Sequence, residues 1–316
     1  MNDFVSHDRL GELGRLDQSP GFWSWSSRCY DAMVMALASW SLPAALRVAS
    51  TIGSRALGIS TFSHLEPELE RLLAPLDQKN WRQTARAICR TAARNRVLTR
   101  LVLRHGYDAV APLLTAASLD RIRELRDNGQ PAIIAVLHDG PVIAIHAALH
   151  ALDIPAVILT MLRQHHSETP LEIVTIPRSH DDAMGAFHLR AAALCRKKLQ
   201  AGGIVFIPMD GTGTGLVDAA LLGRRIEVPA GAAVLSVMTG APIIPTQVKW
   251  TVEHKIEVMM AEPVVAPKRS PAQEAEAAVL RSVMETFDRS LRADPGQINL
   301  VLLDQLLTAP IKLMPL

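Results

Sequence analysis

His138 ends an aliphatic run, Ala132–Leu137, and is followed by Asp139-Gly140-Pro141 and a helical stretch. An imidazole at the carboxyl end of a strand lies where open α/β sheets bind ligands, and it can serve as a general base near neutral pH. The plainer alternative is a core histidine bonded to backbone. Asp139 reads first as the N-cap of that helix, with Pro141 in its first turn, and second as a catalytic carboxylate. A second polar strand end is Pro208-Met209-Asp210, leading into Gly211-Thr212-Gly213-Thr214-Gly215. Glycines so spaced let the backbone approach a ligand and turn N–H groups toward an anion, although a plain glycine turn would look the same. Arg224 and Arg225 follow, and then Pro229-Ala230-Gly231 opens a small-residue helix. The start of that helix would offer unpaired N–H donors to an oxyanion or a phosphate.

Other groupings carry less. His146 and His150 share one helix face, but the zinc motif with that spacing needs Glu after the first His, and Ala147 stands there. The loop pair His165-His166 is weaker still, and no metal is expected. The glycine segment is followed by Leu216–Leu222 rather than a dinucleotide fingerprint, and it lacks the Lys-Ser/Thr of a phosphate loop. A nucleotide-binding enzyme is therefore a third, minor reading. Cys29, Cys89 and Cys195 are widely spaced and form no C-x-x-C pair. They read as small buried apolar groups in a reducing compartment rather than a disulfide or zinc framework.

The elements that must position these residues change character near residue 130. Before it, Ala, Leu and Arg dominate, with helical spacing over Asn80–Leu103 and again over Leu119–Arg126, ended by Asn128-Gly129. After it, strands are expected at Ala132–Leu137, Ala156–Thr160, Ile204–Pro208, Pro242–Val248 and Ile256–Met260. Helices are expected at Val142–Leu152, Met184–Ala201, Gly231–Thr239 and Ala272–Ala293. Alternating strands and helices predict an α/β fold with a mixed, largely parallel central sheet flanked by helices. Residues 1–126 are expected to form a helical N-terminal arm packed on an α/β core at 127–316, as one structural domain. The 316 residues are 49% apolar and 20% charged, which excludes wholesale disorder. A net charge of +2 and 4% aromatics argue against a nucleic-acid binder, which needs a large basic excess or a stacking surface.

In this order the pieces resemble one family. A strand ends in His138; a helix–strand unit ends in Pro208-Met209-Asp210. A Gly/Pro-opened helix then runs into Thr239-Gly240-Ala241-Pro242-Ile243-Ile244-Pro245, and Asp294-Pro295-Gly296-Gln297 closes the series. The chain resembles the bacterial lipid A biosynthesis (late) acyltransferases of the lysophospholipid acyltransferase superfamily. The resemblance runs from about Asn95 to about Leu300 and is strongest over Gly202–Gln247.

It implies a glycerolipid acyltransferase-like fold. It also implies transfer of an acyl group from a thioester on acyl carrier protein or coenzyme A, as co-substrate and without other cofactor, to a hydroxyl or amine. The acceptor would be lipid-like or a specialised metabolite. The family signature is His, four residues, then Asp or Glu. His138 matches the first position as general base, whereas Ile143 stands at the carboxylate position. Asp139 or Asp210 could replace the missing carboxylate, Asp210 being preferred, or the step could dispense with one. The alternative is a non-catalytic acyl-chain or carrier-protein binder on a degenerate acyltransferase fold. Arg178 falls in the loop where relatives place a basic residue for a substrate phosphate. Gly211, Gly213, Arg224 and Gly231 complete the expected substrate-binding set.

Arg86, Arg90 and Arg94 recur every fourth residue, and Arg96, Arg100 and Arg104 continue the series. The stripe is either a solvated face or a contact for an acidic carrier protein or anionic lipid. Met1–Gln18 lacks the basic start and apolar run of a secretion signal. Ala32–Leu46, uncharged and near Trp23, Trp25 and Trp40, is too short to span a bilayer and reads equally as an interfacial or a buried helix. The expected location is cytoplasmic, with peripheral attachment to the inner face of the inner membrane as a further expectation.

Overall fold

The computed structural model describes residues 32–39, 41–56, 66–76, 80–160, 170–175, 183–210 and 215–308. The sheet has the order β3-β2-β4-β1-β7-β8. Its strands are β1 (Ala132–Val136), β2 (Ala156–Thr160), β3 (Leu171–Thr175), β4 (Ile204–Pro208), β7 (Ile243–Trp250) and β8 (Ile256–Met260). All neighbours pair in parallel except β7 with β8. β1 (AIIAV) is buried at every position, as a strand covered on both faces must be. Pro245 sits inside β7 where its pairing to β1 ends and its pairing to β8 begins, so the missing N–H falls at a changeover in the ladder. β5 (Leu216–Leu221) and β6 (Arg224–Pro229) form a separate antiparallel hairpin.

Helices cover both faces: the fold is α/β, with a mostly parallel mixed sheet and a helical N-terminal region. Residues 32–39 form α1. They are followed by α2 (Leu42–Ala56), α3 (Glu66–Leu73), α4 (Trp81–His105), α5 (Ala116–Asp127), α6 (Ile143–Ala151), α7 (Ala183–Gln200), α8 (Gly231–Thr239), α9 (Ala272–Ala293) and α10 (Leu300–Thr308). One core joins Ile133, Ala135 and Leu137 of the β1 segment to α8, α9, α10 and α3, through residues such as Phe287, Leu302 and Leu72. The other joins Ile134 and Val136 to α2, α4 and α6, through Leu46, Leu98 and Ala148. Alternation along β1 divides its side chains between the two faces. α4 serves both cores, with Ile88 in the first and Leu98 in the second.

Several expectations acquire a location. Val34, Ala45 and Leu46 of the uncharged early run are buried in the second core, while Met33 is exposed; Trp23, Trp25 and Trp40 lie outside the described residues. Ile143 opens α6, buried among aliphatic side chains of the same core. Cys89 and Cys195 are buried free thiols, and burial pushes them up to about 11 and about 12; Cys29 lies outside the described residues. Among the described residues no helix is long and apolar enough to cross a membrane.

Candidate functional site

The site forms where two adjacent parallel strands end together. Val136 of β1 lies opposite Pro208 of β4, so His138 and Asp210, each two residues further on, meet above the sheet edge. His138 Nδ1 is 2.7 Å from Asp210 Oδ1, and the His138 backbone N–H donates to Asp210 Oδ2 at 2.8 Å. One carboxylate therefore fixes both the ring and the main chain of the histidine. Facing an acceptor-only oxygen, Nδ1 must carry the hydrogen, which leaves the Nε2 lone pair available as a base. The His138 side chain is 29% exposed and that of Asp210 is 0% exposed. Burial on its own would lower the His138 pKa, but the charge of Asp210 and its hydrogen bond more than offset this, and the net shift is upward.

The chain after His138 is held as firmly. Asn299 N–H donates to the His138 carbonyl at 3.3 Å, and Gly140 N–H donates to the Gln297 carbonyl at 2.6 Å. Asn95 of α4 donates from Nδ2 to the Gly140 carbonyl at 2.7 Å and accepts from Trp250 Nε1 at 2.8 Å. Gln297 accepts the Trp250 N–H at 3.1 Å, and Gln305 of α10 donates to the Asp210 carbonyl at 2.6 Å. This frame holds the dyad from outside, and most of it escapes sequence reading. Asp294-Pro295-Gly296-Gln297 was legible only through the family resemblance. Gln305 rides on α10, where leucines on both sides of Asp304-Gln305 are the sequence signal for a helix packed on the core.

Asp139 is not the expected helix cap. The residue before α6 is Val142, which makes no side-chain cap bond, and the Asp139 backbone instead bridges to Ile298. The carboxyl is fully buried. Gln247 of β7 is the side chain close enough to hydrogen-bond it, and that contact only partly offsets the burial. Burial first, then the charges of Asp210 and Asp294, hold the Asp139 pKa well above its ordinary value. A carboxyl with a raised folded pKa takes up protons on folding, so stability falls as pH rises from near the unfolded value through the folded one. Asp139→Asn removes that loss. The variant is expected to gain roughly 1–3 kcal/mol over wild type at pH 7.5, with the gain shrinking toward zero near pH 4. Urea melts at the two pH values check it, and an equal difference at both would show that charge burial is not the cause.

The remaining candidates do not gather into one described constellation. Gly231 opens α8, and the Ala230 N–H donates to the Gly215 carbonyl at 3.1 Å, tying the end of the glycine segment to that helix start. Gly211, Gly213 and Arg178 lie outside the described residues. Arg224 is buried on β6, with Arg71 and Glu68 of α3 as its charged neighbours, and Arg225 pairs across the hairpin with Asp218. His146 packs edge-on to Phe206 at 4.6 Å between centroids, and burial pushes its pKa down to about 3. His150 Nε2 lies 3.3 Å from Asp108. Among the described residues no group of three or more His, Cys, Asp or Glu could hold a metal ion. Compared with known proteins, the chain matches no protein-family model and no curated protein.

Proposed function

We propose that this protein is an acyltransferase of the lysophospholipid acyltransferase type, with His138 as general base and Asp210 as the carboxylate that orients it. The contact of 2.7 Å between His138 Nδ1 and Asp210 Oδ1 carries the reading. The carboxylate absent at Ile143 reaches the histidine from the neighbouring strand end instead. That favours catalysis over the binding-only alternative, which expected an imidazole among apolar side chains alone.

In the proposed step His138 Nε2 takes the proton of an acceptor hydroxyl or amine. The freed lone pair forms a bond to the thioester carbonyl of an acyl carrier protein or coenzyme A donor. The tetrahedral intermediate then breaks its C–S bond, and the departing thiolate takes the proton back from the imidazolium. Asp210 keeps Nδ1–H in place and stabilises the imidazolium charge. N–H groups at the start of α8 and along the segment ending at Gly215 are the proposed oxyanion donors. The acceptor is a lipid-like or specialised-metabolite molecule. The working location is the cytoplasmic side, with peripheral attachment to the inner membrane face.

Intact-mass analysis of products from acyl-carrier and acyl-coenzyme A donors with candidate acceptors tests the reading. Wild type is expected to add the acyl mass. His138→Ala is expected to lose roughly 100- to 10,000-fold in rate while remaining folded at the assay temperature. Undiminished transfer by the folded variant would sink the mechanism.

A further inference from the structure

A second group of polar side chains begins at Arg94, the residue before Asn95. Arg94 of α4 lies over the Trp250 ring, its Cζ 5.1 Å from the centroid, and its Nε is buried without a hydrogen-bond partner. His254, in the β7–β8 turn, has its Nδ1 buried and unpartnered too. Its φ of +61 places a bulky side chain in the left-handed region. Such backbone persists only where its surroundings fix it, and here Thr251 N–H donates to the Lys255 carbonyl at 2.8 Å and closes the turn. Ser50 of α2 is the third orphan, its Oγ buried without a partner. It lies one turn beyond Arg47, beside Gly53, where an added Cβ would sit 2.6 Å from the Cys89 carbonyl oxygen and 3.2 Å from Arg90 Cα. The two helices are therefore in close backbone contact at this point.

The charges nearest His254 other than the exposed Glu253, which bonds within its own turn, are positive. Burial and the positive charge of Arg90 lower the Arg94 pKa to about 10. Burial, then Arg94 and Arg47, lower that of His254. Among the described residues no carboxylate pairs with Arg47, Arg90 or Arg94. Buried donors normally find partners, and gathered cations normally find a counterion. A guanidinium, an imidazole and a hydroxyl on three neighbouring elements offer donors that suit the several oxygens of a tetrahedral oxyanion better than the two of a carboxylate.

We propose that Arg47, Ser50, Arg90, Arg94 and His254 form a pocket for a phosphate group. It is distinct from the dyad and joined to it through Asn95, which bonds both Trp250 and the Gly140 carbonyl. The pocket stands whether or not the protein transfers acyl groups. The phosphate would come from a phosphopantetheine or coenzyme A arm, from a phospholipid headgroup, or from free inorganic phosphate.

Titration calorimetry on the full chain, at fixed ionic strength in chloride, measures inorganic phosphate, coenzyme A and a short-chain phosphatidic acid in turn. Binding of at least one is expected, and the tightest names the source. Arg94→Gln and, separately, His254→Asn, a residue that tolerates the same backbone, are expected to weaken that binding about tenfold or more. Arg281→Gln, an exposed arginine on α9, is expected to bind as wild type does. Failure of all three ligands to bind would overturn the pocket. Binding that both Arg94→Gln and His254→Asn leave unchanged would overturn it as well.

Discussion

Asp210→Asn is expected to lower kcat for acyl transfer roughly 1,000- to 10,000-fold while leaving KM within a few-fold of wild type. The carboxylate accepts from two donors at once, His138 Nδ1–H and the His138 backbone N–H. An amide has one oxygen for these two. If that oxygen keeps the backbone N–H, the NH2 group faces Nδ1, and the ring must take the tautomer with hydrogen on Nε2. The base then points inward and the reacting nitrogen has no lone pair to offer. The opposite orientation sets NH2 against a backbone N–H, which is worse. A pH profile separates this from plain loss of structure. Both influences that raise the His138 pKa come from Asp210, whereas burial lowers it. The acid limb of wild type is therefore expected above the ordinary imidazole value of 6.5, and residual activity in the variant should titrate below it. Stability has the opposite sign. A raised histidine pKa contributes stability that is complete below 6.5 and is lost as pH rises through the folded value. Asp210→Asn should therefore destabilise more at pH 5.5 than at pH 8.5. A kcat within tenfold of wild type, with an unmoved acid limb, would remove Asp210 from the mechanism.

The two halves of that dyad were legible unequally. β1, β2 and β4 announce themselves because strands buried on both faces need continuous aliphatic runs, and AIIAV or IVFIP can be little else between turn signals. His138 and Asp210 stood out by following such runs. Their meeting was not written locally. It depends on β4 pairing directly with β1 in a register that brings Val136 level with Pro208, a fact of sheet order across 72 residues. β3 (LEIVT), at the sheet edge and carrying Glu172, has no such run.

The β5–β6 hairpin escaped although its signal was present. Leu222 and Gly223 both have positive φ, a two-residue turn suited to a hairpin, and buried Arg224, Ile226 and Val228 alternate after it. Arg224, read as a ligand for substrate, is thereby carried to Glu68 and Arg71 of α3. Asp139 was misread as a cap for a related reason. Asp before Pro and a helix is a strong local pattern, but pairing with Ile298 decides where the carboxyl goes. Arginines spaced along one helix reveal a stripe. They do not reveal that Arg94 turns onto a tryptophan 156 residues away in sequence.

Gly140→Ala is expected to be among the most damaging single substitutions in the chain, costing about 4 kcal/mol or more in stability. Gly140 has φ +56, where an added Cβ costs about 1–2 kcal/mol on its own. The larger part is steric. That Cβ would overlap the Val248 carbonyl oxygen and lie 2.7 Å from the carbonyl carbon, both backbone atoms of a strand paired there with β8. A flexible side chain could swing away; β7 cannot move there without disturbing its ladder to β8. Relief must come from the segment 138–140 instead, which is pinned by Asn95, Gln297 and Asn299. Displacing it moves the His138 backbone N–H off Asp210 and opens the dyad. Loss of stability and loss of transfer are therefore expected together, even at temperatures where the variant remains folded. Gly129→Ala is the matched control, with φ +61 and nothing within 4 Å of the added Cβ. It should cost only the backbone penalty and leave transfer intact. If denaturant melts gave the two variants equal losses, the close approach at Val248 would not be what requires glycine after His138 and Asp139.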